Sequence, residues 1–156
     1  MQLTRFTDYA LRVLLFIARQ DGRVCTMGEI ATYYQISLEH LRKVIHKMAK
    51  LGYLNSTRGR GGGLLLGRDP AKIRVGEVVL AMEYDLSIID CQALNCPLQH
   101  GCSLKTALDR ASRAFVATLN EVTLADLMDN RGMKQQFKNI DIEVQTRGRV
   151  RRRAGS

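Results

Sequence analysis

A basic amphipathic stretch that runs straight into a glycine-rich turn constrains this chain more than any other feature. In SLEHLRKVIHKMAKL, residues 37–51, Leu38, Leu41, Val44, Ile45, Met48 and Leu51 recur at the three- and four-residue steps of one helical face. Ser37 stands where an N-cap is expected. Glu39, His40, Arg42, Lys43, His46 and Lys47 fall largely outside the apolar stripe, so the outer face is polar and basic. A shorter helix is predicted just before, TMGEIATYY at 26–34, with Thr26 as cap and Glu29 at the capping-box spacing. Two helices joined by a tight turn at Ile36-Ser37, the second with a basic outer face, read as a helix-turn-helix. Directly after come GYLNS, TRGRGGG and LLLG: two short strands around a glycine-rich turn, a hairpin placed as a wing.

The charge supports contact with a polyanion at this end. Segment 37–68 carries seven Lys/Arg against one Glu. Residues 1–75 hold 13 basic and 5 acidic side chains (+8), residues 76–130 hold 3 and 8 (−5), and residues 131–156 hold 8 and 2 (+6). The basic front and tail, and not the acidic middle, are the expected DNA-facing parts. Ser37, His40, Arg42, Lys43 and Lys47 on the basic helix are candidates for groove edges or phosphates. At the wing, Arg58 and Arg60 are candidates for the minor groove, with Gly61 and Gly62 letting backbone approach a phosphate. GRGGG is not read as a nucleotide loop, because it lacks G-x-G-x-x-G and G-K-[ST] and leads into a strand.

The rest of the chain is mostly helical in pattern. Thr4 to Gln20 places Phe6, Tyr9, Ala10, Val13, Leu14, Ile17 and Ala18 on one face, and Asp21-Gly22 stops it. Asp8 in its first turn has an ordinary role there, a carboxylate favouring the positive helix end. IRVGEVVLAMEY, 73–84, reads as a fourth helix. Ser103 to Leu119 reads as a long fifth one with a stripe of Leu104, Leu108, Ala111, Phe115 and Leu119. At the usual rise it extends about 25 Å and needs a partner for that stripe. A second copy of itself is favoured over packing within its own domain. Thr123 caps a short sixth helix, TLADLMD.

The expected fold is therefore mainly α, a winged helix-turn-helix with a long dimerisation helix. Its expected parts are a DNA-binding region at 1–72, a cysteine loop and dimerisation helix at 73–130, and a disordered basic tail at 131–156. Within the tail, Ile140, Ile142 and Val144 alternate as a marginal strand would. The N-terminus has no secretory pattern, and the longest apolar run, Val13 to Ala18, is far too short to span a bilayer. A cytoplasmic protein with no membrane partner is expected. No Ser/His/Asp or paired-carboxylate constellation stands out, so no enzyme is expected.

The acidic middle holds the second notable stretch, CQALNCPLQHGC at 91–102. Three of the four cysteines fall here, spaced C-x4-C-x5-C, on a segment with loop character. In the cytoplasm, clustered cysteines point to metal or redox chemistry before disulfides. Iron and zinc both take thiolate sulfur, and three cysteines leave one coordination position to be filled from elsewhere. A zinc ribbon would need C-x2-C. Cys25 stands apart and reads as a small buried thiol.

MQLTRFTDYALR at the start, RGRGGGLLLG in the wing and the C-x4-C-x5-C loop together resemble the bacterial winged-helix iron–sulfur regulators, over about residues 1–130. The resemblance implies a homodimer in which Cys91, Cys96 and Cys102 hold an iron–sulfur cluster, 4Fe-4S or 2Fe-2S. In the nitric-oxide-sensing branch the fourth ligand is a carboxylate from the first helix of the other subunit, and the matching position is Asp8. A sibling branch that reports cluster supply uses x5 in both gaps and a His three residues past the last cysteine; here the first gap is x4 and that residue is Lys105. His100, inside the loop, is a rival ligand. The implied function is a repressor that binds a double-stranded DNA operator with its cluster intact, nitrosylation or loss of the cluster releasing DNA. The alternatives are a regulator of cluster supply or general redox stress, an electron carrier or cluster scaffold, and a structural zinc repressor.

Overall fold

The computed structural model describes residues 2–57, 59, 62–98 and 100–138. Helices α1 (Arg5–Ala18), α2 (Met27–Tyr34) and α3 (Leu38–Lys50) come first. Strands β1 (Leu54–Ser56) and β2 (Leu64–Leu66), a 3-10 turn (Pro70–Lys72), α4 (Val75–Met82), α5 (Ser103–Asn120) and α6 (Leu124–Asp129) follow.

α1 is the central rod. Ala10, Val13, Leu14, Phe16 and Ile17 are buried along it, and it packs on α3, α4, α6 and β2. Each such apolar side chain contributes about 1.5–3 kcal/mol when taken from water. The stripe expected on α3 is largely the one buried: Leu41, Val44, Ile45 and Met48, with Leu38 left half exposed. Ile73, Val78, Met82 and Leu124 join the same core cluster, which builds α4 and α6 into the α1–α3 unit.

Local chemistry sets the element ends. The Thr26 hydroxyl accepts from the Glu29 N–H at 3.2 Å, and the Glu29 carboxylate accepts from the Thr26 N–H at 2.6 Å. That bond, aided by Arg23, holds the Glu29 carboxyl below the usual carboxylate range. α2 ends because Gln35 adopts a left-handed conformation, φ 55°. Ile36 then buries itself in the turn and Ser37 caps α3.

β1 and β2 pair antiparallel with Leu54 opposite Leu66 and Ser56 opposite Leu64. Cys25 adds an isolated antiparallel bridge to β2, outside the β1–β2 ladder. Its N–H donates to the Leu64 carbonyl at 3.0 Å, and the Leu64 N–H returns the bond at 2.7 Å. Gly63 is required beside it, since a Cβ there would sit 2.5 Å from the Cys25 carbonyl oxygen.

α5 returns to this core at its C-terminal end. The Val75 N–H donates to Val122 at 3.0 Å and the Leu124 N–H to Ile73 at 2.8 Å. α4 and α5 cross so closely at Gly76 that a Cβ there would collide with Asn120. No residue of α5 is fully buried. Its expected single stripe is split: Leu108, Phe115 and Leu119 are half-buried, whereas Leu104 and Ala111 are exposed, in line with Ala107 and Ala114.

One expectation is corrected here. Residues 131–138, assigned from the sequence to a disordered tail, are helical. The Asn130 side chain accepts from the Met133 N–H at 3.1 Å, a capping bond, and the Arg19 guanidinium lies 5.0 Å from the Phe137 ring centre. The alternating stretch at 140–144 and the basic end lie outside the described residues. Among the described residues no helix is long and apolar enough to cross a membrane.

Candidate nucleic-acid interface and cysteine loop

The exposed start of α3 gathers most of the groove candidates. Ser37, His40, Arg42 and Lys43 are all exposed. The Ser37 hydroxyl does two jobs: it accepts from the His40 N–H at 3.3 Å and meets His40 Nδ1 at 2.8 Å. The cap therefore also orients the imidazole. Lys43 donates to Glu39 at 3.2 Å, and that bond keeps the Glu39 carboxyl below its usual range. Both partners are well exposed. An i,i+4 pair of this kind is worth only a few tenths of a kcal/mol, so Lys43 is free to exchange Glu39 for a phosphate. Arg5, Phe6 and Tyr9 of α1 join His40, Lys43 and Val44 around a shallow cavity of about 170 Å³.

Lys47 differs from this group. It is half-buried, donates to the Met82 carbonyl at 3.3 Å and stands 5.5 Å from the Phe6 ring centre. Its position one turn beyond Lys43 brings it against α4, so its ammonium is engaged inside the chain. At the wing, Arg58, Arg60 and Gly61 lie outside the described residues. The Gly62 N–H donates to the Gly59 carbonyl at 3.0 Å, and Thr57 and Gly63 close the hairpin below it.

The cysteine loop joins α4 to α5 and is built from short-range turns. The Asp90 carboxylate accepts from the Gln92 and Ala93 N–H groups at 3.1 and 2.9 Å, and the Cys96 N–H donates to the Cys91 carbonyl at 3.1 Å. Cys102 is the N-cap of α5, its sulfur 3.5 Å from the Lys105 nitrogen that donates to it. The Lys105 ammonium binds Asp109 at 2.6 Å, which raises its pKa, and the nearby Cys91 adds to that. Cys91, Cys96 and Cys102 are all free and half-buried. Cys25 is fully buried and its thiol pKa is pushed up by burial, as expected of a packing residue.

As donors, three unpaired thiols on one loop fit an iron–sulfur group. The convergence expected from their spacing is not formed by the chain alone. Among the described residues no three His, Cys, Asp or Glu side chains lie close enough to hold a metal ion. His100 is exposed. Asp8 is engaged within its own helix, receiving the Arg12 Nε–H at 3.0 and 2.9 Å on its two oxygens. Arg12 in turn lies 5.6 Å from the ring of Tyr34, whose phenol is pushed up to about 12 by burial.

A family model described as Rrf2, iron-dependent transcriptional regulator, matches residues 3–130. The chain belongs to the Rrf2 family. It is 44% identical over 135 residues to the HTH-type transcriptional regulator NsrR of Bacillus subtilis (strain 168), a match spanning 84% of this chain and 92% of that protein. The NsrR of Geobacillus kaustophilus (strain HTA426) is 44% identical over the same shares. In fold the chain resembles CymR, the global cysteine regulator of B. subtilis, with TM-score 0.69, 22% identity and coverage of 82% and 96% of the two chains. It also resembles T. potens IscR, with TM-score 0.66, 24% identity and coverage of 82% and 86%. This Rrf2 chain is a winged-helix transcriptional regulator and not an enzyme.

Sequence reasoning missed four residues that shape this Rrf2 chain's surfaces. Arg5 and Tyr9 reach the α3 face only because α1 packs along α3. Glu83 accepts from both the Thr4 N–H at 2.7 Å and the Thr4 hydroxyl at 3.1 Å, a pairing 79 residues apart that no local pattern announces. Gln35 carried a weak signal, since a polar residue between two helical patterns is the usual place for a left-handed turn.

Proposed function

We propose that this Rrf2 protein is a homodimeric DNA-binding repressor that senses nitric oxide through an iron–sulfur cluster held by Cys91, Cys96 and Cys102. The observation that carries the reading is the placement of three free thiols on the loop between α4 and α5, in a chain 44% identical to proteins named NsrR. A bound cluster supplies an iron centre that reacts with nitric oxide. The residues of the chain do the rest. The loop thiolates hold the group, and Asp8 of the other subunit is the proposed fourth, oxygen ligand.

Oxygen is a poorer match than sulfur to such an iron, so that position is the weak point of the site. Asp8 has a ready alternative partner in Arg12. Asp8 would hold the loop of one subunit to α1 of the other only while it served as that ligand; without that role its carboxylate pairs with Arg12 of its own helix. Two α3 helices read successive major-groove faces only at a separation of about 34–36 Å; releasing the tie releases that separation.

Ser37, His40, Arg42 and Lys43, with Arg58, Arg60, Gly61 and Gly62 of the wing, are the proposed DNA contacts. The division into a DNA-binding region at 1–72 and a sensor and dimer region at 73–130 follows from this reading. A cytoplasmic site of action fits a repressor of this kind.

The test is anaerobic purification with iron and sulfide counts, then operator binding before and after nitric oxide. Cluster-bearing protein that binds and then releases DNA is the expected result. Protein with zinc and no sulfide, or cluster-bearing protein whose DNA binding ignores nitric oxide, overturns it.

A further inference from the structure

The turn that opens the cysteine loop is bonded to three separate helices. The Met82 carbonyl, at the end of α4, accepts from Lys47 of α3 at 3.3 Å. The next residue, Glu83, accepts from the N–H and hydroxyl of Thr4, the cap of α1. Three residues on, the Leu86 carbonyl accepts from Ser112 of α5 at 3.0 Å. The chemistry suits each bond. The last carbonyls of a helix lack intrahelical partners, and a cation is the favoured charge there. A carboxylate is the favoured charge at a helix start. Met82 itself is 3% exposed, so the junction is anchored in the core and its carbonyl has a fixed direction.

We propose that Lys47 and Glu83 couple the cysteine loop to the DNA-reading helix within one chain, Lys47 acting as a positioning residue for α3 and not as a phosphate ligand. The proposal deepens the sensor reading above, since it gives the loop a path to α3 of its own subunit. Any rearrangement of the loop that turns the Met82–Glu83 peptide withdraws the acceptor from Lys47 and the anion from the α1 cap together. α3 then keeps its apolar stripe and the Arg68 bond to the Leu51 carbonyl at 2.6 Å, but loses its tie to the loop.

Two measurements on the full chain test this without requiring a cluster. The first is the salt dependence of binding to duplex DNA. Removing one cation that neutralises a phosphate lowers the slope of log affinity against log salt by about 0.9. Lys43→Met should show that decrease and Lys47→Met should not. The second is hydrogen exchange in the last two turns of α3 before and after the loop thiols are alkylated with iodoacetamide, buried Cys25 staying unmodified. Alkylation should speed exchange there at least threefold in the wild type and leave it unchanged in Lys47→Met. Lys47→Arg, which keeps a donor, should restore the response. A Lys47→Met slope that falls like that of Lys43→Met overturns the proposal, and so does α3 exchange that ignores alkylation in the wild type. Iron and sulfide counts on the same preparation decide the cluster reading separately.

Discussion

Glu29 shows how one side chain fixes both a local structure and its pH dependence. Its carboxylate closes the capping box on Thr26 and receives Arg23 Nη1 at 2.8 Å. Both interactions favour the charged form, so its pKa is lower folded than unfolded. The stabilisation is present above the unfolded carboxylate pKa and is lost as pH falls through the folded value. Glu29→Gln should lower the urea midpoint near pH 7, and the difference from wild type should shrink as pH falls below the ordinary carboxylate range. The cysteines give a second contrast at this scale. Cys91, Cys96 and Cys102 are half-buried on turns, whereas Cys25 is locked between two backbone bonds to Leu64. A maleimide followed by mass spectrometry should add three labels to folded, cluster-free protein quickly, and the fourth only when urea opens the core. Four labels at one rate would show that the Cys25–Leu64 bridge is not formed.

At the scale of elements, α5 carries the clearest consequence. Its half-buried side packs on α4, and Leu104, 60% exposed, continues into Ala107, Ala111 and Ala114 on the open side. Small residues let a second helix approach closely, so this side suits another α5. Ala111→Arg should therefore leave helix content unchanged by circular dichroism and convert a dimer to a monomer in sedimentation equilibrium. A dimer that survives the change places the interface elsewhere. The helices themselves were readable from the sequence because periodicity and caps agreed. Thr26 with Glu29, Ser37, and Thr123 with Asp126 all cap as their spacing implies. The two faces of α5 were not separable that way, because alanine satisfies both a buried and an exposed position. The helix at 131–138 was hidden for a related reason: its charge outweighs its pattern, and Phe137 meets Arg19, the C-cap of α1, across a long stretch of sequence. On the DNA face, Lys43 and Lys47 look alike as letters four residues apart, and the packing of α4 and of Phe6 on α1 sets them apart.

At the scale of the whole molecule, charge is divided by region, and that division makes the final prediction. The net +9 arises from a basic front and a basic end set against an acidic middle. Residues 139–156 contribute five Arg against one Asp and one Glu, a net of +3. They lie beyond the 3–130 span that matches the family, so the core fold does not need them for its identity. Ending the chain after Lys138 should therefore leave the thermal midpoint unchanged while weakening binding to duplex DNA of any sequence. The salt slope should fall by about 0.9 for each phosphate the tail had neutralised. Discrimination between operator and random duplex should stay the same, because the removed attraction acted equally on both. Titrations of the full and shortened chains on both duplexes at several salt concentrations measure all three quantities. If the shortened chain binds random DNA as well as the full one, the basic end faces away from the duplex and the front alone supplies the attraction. If instead operator and random affinities fall by different factors, the tail takes part in reading sequence and does more than neutralise phosphate.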